Sequence, residues 1–143
     1  MQRQLDAIAE KYGSIAALIH LHPSLQKDKE HNMLQQVFFL AKHLKTSLVE
    51  ASQQGYSCFV TVAHLDGKLG TTGKGYSPIA GGLFGLSKSL RWEWQSVFCR
   101  AIDLSPDLDT ATSVRYIVAE LNDPNRLIGE VAYSSTGRAT LGL

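Results

Sequence analysis

The chain has 143 residues, the length of one ordinary domain with room for a sizeable core. Its 44% hydrophobic and 19% charged content are those of a folded globular protein and exclude a disordered one. Fourteen basic against thirteen acidic residues leave a formal net charge of +1, so nothing in the charge favours nucleic acid or an anionic membrane as partner.

Leu5, Ile8, Ala9 and Tyr12 recur at helical spacing, which predicts a helix over 2–12 with Gly13 as its C-cap. The apolar run SIAALIHLHP, stopped by Pro23, predicts a strand buried on both faces. Residues 24–32 are polar and read as a loop or a frayed helix start. From Met33 to about Ser52, Leu34, Val37, Phe38, Ala41, Leu44, Leu48 and Val49 predict a long amphipathic helix closed by Gly55. Met33, Phe38 and Phe39 are expected in the core.

The β-branched and aromatic run SCFVTVAHL predicts a second buried strand. Gly67, Gly70, Gly73 and Gly75 then dot a loop, and a helix is expected from about Ser77 through Val97 with Pro78 in its first turn. FCRAIDLSP predicts a third strand. TATSVRYIVAELND predicts another helix with Val114, Ile117, Val118 and Leu121 on one face, and LIGEVAYSSTGRATL one or two closing strands. The order is an α/β fold: a truncated Rossmann-like three-layer arrangement on a mainly parallel sheet, in a single domain over 1–143. Because a helix comes first, the chain reads like the second half of a longer α/β unit.

Cys58 and Cys99 sit inside apolar runs and are expected as buried free thiols, which fits a reducing cytoplasm. No CxxC pair signals zinc or dithiol chemistry, and the polar start MQRQLDAIAEKYG lacks a signal-peptide core. A cytoplasmic location is therefore expected.

Between residues 56 and 106 the chain resembles the later half of a short-chain dehydrogenase/reductase. The likeness rests on Gly85-Leu86-Ser87-Lys88-Ser89-Leu90, on Glu93, and on Arg100, Ile102 and Asp103. Counting back through that frame places the family's catalytic tyrosine at Tyr76, its lysine at Ala80 and its serine at Ala63. The chemistry needs all three. A phenol with an ordinary pKa of about 10 donates a proton near neutrality only beside a cation, and the serine polarises the carbonyl. Alanine does neither. Gln35 and Gln36 stand where an asparagine relay is expected, and no glycine-rich dinucleotide fingerprint follows the first strand. The resemblance thus implies no catalytic residue here, with Tyr76 vestigial, and no cofactor-binding residue.

A closer resemblance is to the truncated, non-catalytic structural subdomain of ketoreductases in polyketide and polyunsaturated fatty acid synthases. FVTVAHLDG, GGLFGLSKSLRWEW, CRAIDLSP and IGEVAYSSTGR follow its order over about residues 56–138. It implies a supporting role beside a catalytic half that reduces 3-oxoacyl groups on acyl carrier protein with NADPH. The contact is expected through the long helices and the terminal strand, with acyl carrier protein met only indirectly and self-association open. The competing readings are a fragment of an active reductase with Tyr76 as proton donor, and a stand-alone protein-binding adaptor.

Other residues carry plainer readings. His20 and His22 alternate along one strand and would face one side like a metal pair, but no third ligand can be named from sequence and two partly solvated histidines near a strand end are expected, with no metal site. His64 reads as a loop histidine beside Asp66, and Lys88 as a solvated helix residue. Trp92 and Trp94 point about 200° apart around a helix, so one packs inside while the other is free to cover a partner. The pair is the candidate interface.

Overall fold

Two stretches, CFVTVA and FCRAIDL, form the centre of the fold because every residue in them is buried, the mark of strands covered on both faces. The computed structural model describes residues 1–23, 27–73 and 77–141. Its elements are α1 (Gln2–Tyr12), β1 (Ala17–Leu21), α2 (Lys27–Gln54), β2 (Cys58–Ala63), α3 (Pro78–Glu93), β3 (Phe98–Leu104), α4 (Thr110–Leu121), β4 (Glu130–Ser134) and β5 (Gly137–Ala139). The five strands lie in one sheet in chain order. β1 to β4 are parallel and β5 returns antiparallel to β4.

Strand alternation sorts the core into two layers. Phe59, Ala63, Cys99 and Ala101 face α2 and α3, where they meet Val37, Ala41, Leu44, Leu48, Leu83 and Trp94. Cys58, Val60, Val62, Ile102, Leu104 and Val131 face the other way, toward Ile117 and Leu121 of α4. Residue Gly82 lets α2 and α3 close up, since a Cβ there would stand 2.9 Å from Leu34 Cδ2. α3 starts as its sequence dictates: Ser77 Oγ accepts the Ile79 N–H at 3.2 Å, and Pro78 takes the position where a missing donor costs nothing. All three crossovers step the same way across the sheet, yet α4 lies on the face opposite α2 and α3. The third crossover therefore has the opposite hand to the first two, and α4 is the one helix on its side among the described residues.

Several expectations change. β1 is not buried on both faces: as an edge strand it alternates between exposed and half-buried residues. Helix α2 begins at Lys27, six residues earlier than the apolar periodicity marks, because a polar first turn leaves no hydrophobic trace. Phe38 and Phe39 are half exposed and touch each other edge to face on its outer side. They are not core residues; Val37 and Ala41 hold the inward positions. α3 stops at Glu93, four residues short of Val97. α1 buries no residue, and on α4 Val114 and Val118 are exposed.

Candidate functional site

In open α/β sheets ligands gather at the carboxyl ends of the parallel strands, and His20, His22, Ala63, His64 and Ala80 lie at that end. Ala63 ends β2 and Ala80 lies in the first turn of α3. Both are buried in the core with Leu83 and Phe84, so methyl groups are packed where the reductase frame has a serine hydroxyl and a lysine ammonium. Tyr76 and Gly75 lie outside the described residues. Lys88 offers no substitute cation, since it lies eight residues along the helix from Ala80 and its Nζ is 3.0 Å from Glu130 Oε2.

The glycine-dotted loop after β2 is built around two carboxylates. Asp66 Oδ1 accepts the N–H groups of Lys68 and Gly70, each at 2.8 Å, while Oδ2 accepts the Thr72 N–H at 3.0 Å and its hydroxyl at 2.7 Å. Partial burial pushes this carboxyl up, but the Thr72 hydroxyl and the surrounding amides outweigh it and hold Asp66 well below the usual range. From beneath, Asp103 accepts the Leu65 N–H at 2.9 Å and the Leu69 N–H at 2.8 Å. Burial raises the Asp103 carboxyl, against the amides of Leu65, Leu69 and Gly67. Gly67 adopts φ 69°, and a Cβ there would stand 2.5 Å from the Tyr133 carbonyl oxygen. Among the described residues, the amides of Leu65, Lys68, Leu69, Gly70 and Thr72 are thus engaged by Asp66 and by Asp103 of β3, which makes residues 65–72 a structural plug and a poor cradle for a phosphate.

His20, in β1, and His22, one residue beyond its end, have rings 5.7 Å apart. His22 is buried and not partly solvated as expected, because Glu30 and α2 close over it; its Nε2 is 3.8 Å from Glu30 Oε1. Ser77 Oγ donates to the other oxygen of Glu30. Burial, and for His20 the neighbouring His22, pushes both imidazoles below their ordinary values; Glu30 opposes the shift at His22. The described residues contain no group of three metal-ligating side chains. His64 Nδ1 lies 3.0 Å from the Leu104 carbonyl oxygen and fastens β2's end to β3. Cys58 and Cys99 are buried free thiols; desolvation, with Cys58 close by, pushes Cys99 up to about 12.

The densest polar cluster lies on the α4 side and was not marked as one by the sequence. Arg100 is fully buried in β3. It donates to Glu120, to Asp123 Oδ2 at 2.7 Å, and to the carbonyls of Asn125 and Ile128. Glu120 also accepts the Tyr133 hydroxyl and Arg138 Nε at 2.6 Å, and Arg138 reaches Asp123 at 2.9 Å. Every charge is paired, and the cluster ties β3, α4, β4 and β5 together. An arginine inside a strand buried along its whole length was the signal; its partner Glu120 reads as an ordinary helix acid. The two tryptophans separate. Trp94 is 3% exposed and stands edge-on to Phe59, so it is a core residue and not part of an interface. Trp92 is 73% exposed beside the Arg91 guanidinium.

No family model matches the chain. Over 129 residues it is 30% identical to a polyunsaturated fatty acid synthase polypeptide of Thraustochytrium sp. (strain ATCC 26185 / S-3), a match that covers 84% of this chain and 4% of that polypeptide. Among solved structures it resembles the aldohexose dehydrogenase of Thermoplasma acidophilum in ligand-free form. That likeness has a TM-score of 0.53 at 13% identity and covers 88% of this chain and 54% of the dehydrogenase. The chain therefore has a dehydrogenase-like α/β fold and a synthase-related sequence. It spans a small part of the synthase polypeptide and about half of the dehydrogenase.

Proposed function

We propose that this chain is a non-catalytic structural part of the ketoreductase region of a multidomain fatty acid or polyketide synthase. It supports a neighbouring half that reduces 3-oxoacyl groups on acyl carrier protein with NADPH. The observation that carries this reading is the pair Ala63 and Ala80, both sealed into the core at the positions where the reductase frame needs a serine and a lysine. Alanine at both positions supplies neither the hydroxyl that would polarise a carbonyl nor the ammonium that would make a phenol acidic near neutral pH. The loop after β2 adds to this, since Asp66 and Asp103 already take its amides. The synthase-related sequence favours a role within such a multienzyme, and the dehydrogenase-like fold favours its reductase region.

Calorimetric titration with NADPH tests the reading. The expected result is no saturable heat at millimolar cofactor, with or without a 3-oxoacyl thioester. Saturable binding in the micromolar range, about −8 kcal/mol, would contradict it.

A further inference from the structure

β1 is an edge strand without the usual protections. In its ladder with β2, the His22 N–H reaches the Val62 carbonyl at 2.8 Å and the Cys58 N–H the Ala16 carbonyl at 2.9 Å. That phase turns the backbone donors and acceptors of Ala17, Ile19 and Leu21 away from the sheet. No strand among the described residues meets them. The strand reads ALIHL, with no lysine, proline or bulge to discourage pairing. The same three side chains stand on the α4 face, where Ile19 is 41% and Leu21 62% exposed while the neighbouring β2 residues are buried. Parallel sheets are ordinarily covered on both faces. Here α4 covers β3 and β4 and stops short of β1, turning Val114 and Val118 to water. A cleft of about 340 Å³ opens between Leu21, Val62, Val114 and Ile117.

We infer that the β1 edge and this cleft form the docking surface for a strand–helix unit from another segment of the same multienzyme. An extended segment adds to β1 in parallel, bonding Ala17, Ile19 and Leu21, and the apolar face of its helix fills the cleft beside α4. The inference rests on the synthase reading and replaces the long helices and terminal strand as the expected contact. Two observations select this occupant. Nearly half of the dehydrogenase with the same fold lies outside the match, so a sheet of this kind has a comparable amount of structure beyond the matched part. A second copy fits less well: symmetric pairing of two β1 edges is antiparallel and keeps like faces on like sides, so it joins two clefts and fills neither.

The probes are the two segments that flank the matched stretch in the Thraustochytrium synthase polypeptide, each purified and mixed with this chain. Amide hydrogen exchange at Ile19 and Leu21 is followed, and affinity is measured for the parent chain and for Ile19→Lys, Leu21→Lys and Phe38→Lys. All three replace side chains already open to water, and circular dichroism checks that each variant folds. One flanking segment is expected to bind and to slow the two amides about 100-fold or more. Ile19→Lys and Leu21→Lys are expected to weaken binding at least about tenfold, and Phe38→Lys, across the sheet on α2, to leave it unchanged. Binding with both amides still fast and the lysine variants unaffected would overturn the inference and leave the supporting role standing. Failure of both segments to bind would overturn that role as well. Protection that appears with this chain alone and grows with its concentration would identify a second copy as the occupant and reject the strand–helix unit.

Discussion

Arg100 holds a full positive charge inside a strand with no exposed residue, and the energetic consequence follows from its partners. Removing one member of a fully paired buried cluster leaves the others desolvated and unmatched, so Glu120→Ala should destabilise the fold by about 3–5 kcal/mol in urea unfolding. The cluster also fixes a pH dependence. Burial raises the Glu120 carboxyl, but the hydrogen bonds from Arg138 and Tyr133 and the Arg100 charge outweigh it and hold it below its ordinary range. The Asn125 N–H and Arg100 do the same for Asp123. Both groups bind protons less readily folded than unfolded. Their stabilisation is therefore fully present above the ordinary carboxylate range near pH 4 and is lost as pH falls through their folded-state values. Urea unfolding between about pH 5 and pH 3 should show this decline, with a shallower slope in Glu120→Gln. At Ala80 the prediction is different. Ala80→Lys restores the residue of the reductase frame, but inside a packed core it should cost about 3 kcal/mol and bring no NADPH-dependent reduction. Ala63 and Ala80 were legible by counting along the chain. Glu120 and His22 were not, because an acid on a helix and a histidine near a strand end look solvated until another element closes over them.

At the scale of elements, residues 65–72 after β2 are held by Asp66 and Asp103 through the amides of Leu65, Lys68, Leu69, Gly70 and Thr72. Gly67→Ala adds a methyl at positive φ against the Tyr133 carbonyl oxygen and should lower stability by about 2 kcal/mol or more, read as a shift in thermal midpoint. Strands β2 and β3 were readable because residues buried on both faces must be continuously apolar. β1 carries the same apolar signature with one neighbouring strand, since composition records what a strand is able to bury and not what lies beside it. The start of α2 and the end of α3 escaped for a related reason. Their terminal turns are polar or exposed, and hydrophobic periodicity says nothing there. Phe38 and Phe39 show the limit of periodicity within a helix: adjacent aromatic residues cannot both face the sheet, and Val37 holds the inward position.

At the scale of the molecule, the α/β class and the parallel order were legible because three helices separate four apolar strands, which leaves few other ways to pair them. The side on which α4 lies was not legible. That placement leaves the β1 edge and the β1 side of the α4 face open, and the supporting role proposed for the chain is argued from this open surface together with an alanine-filled catalytic frame. The most direct measurement is the rate of NADPH-dependent reduction of a 3-oxoacyl thioester by each of the two segments that flank the matched stretch of the Thraustochytrium synthase polypeptide, alone, with this chain, and with its Tyr76→Phe variant. The account predicts that the chain raises one segment's activity or thermal midpoint and that Tyr76→Phe does so equally well. Reduction by this chain without either segment, or its loss on Tyr76→Phe, would contradict the account.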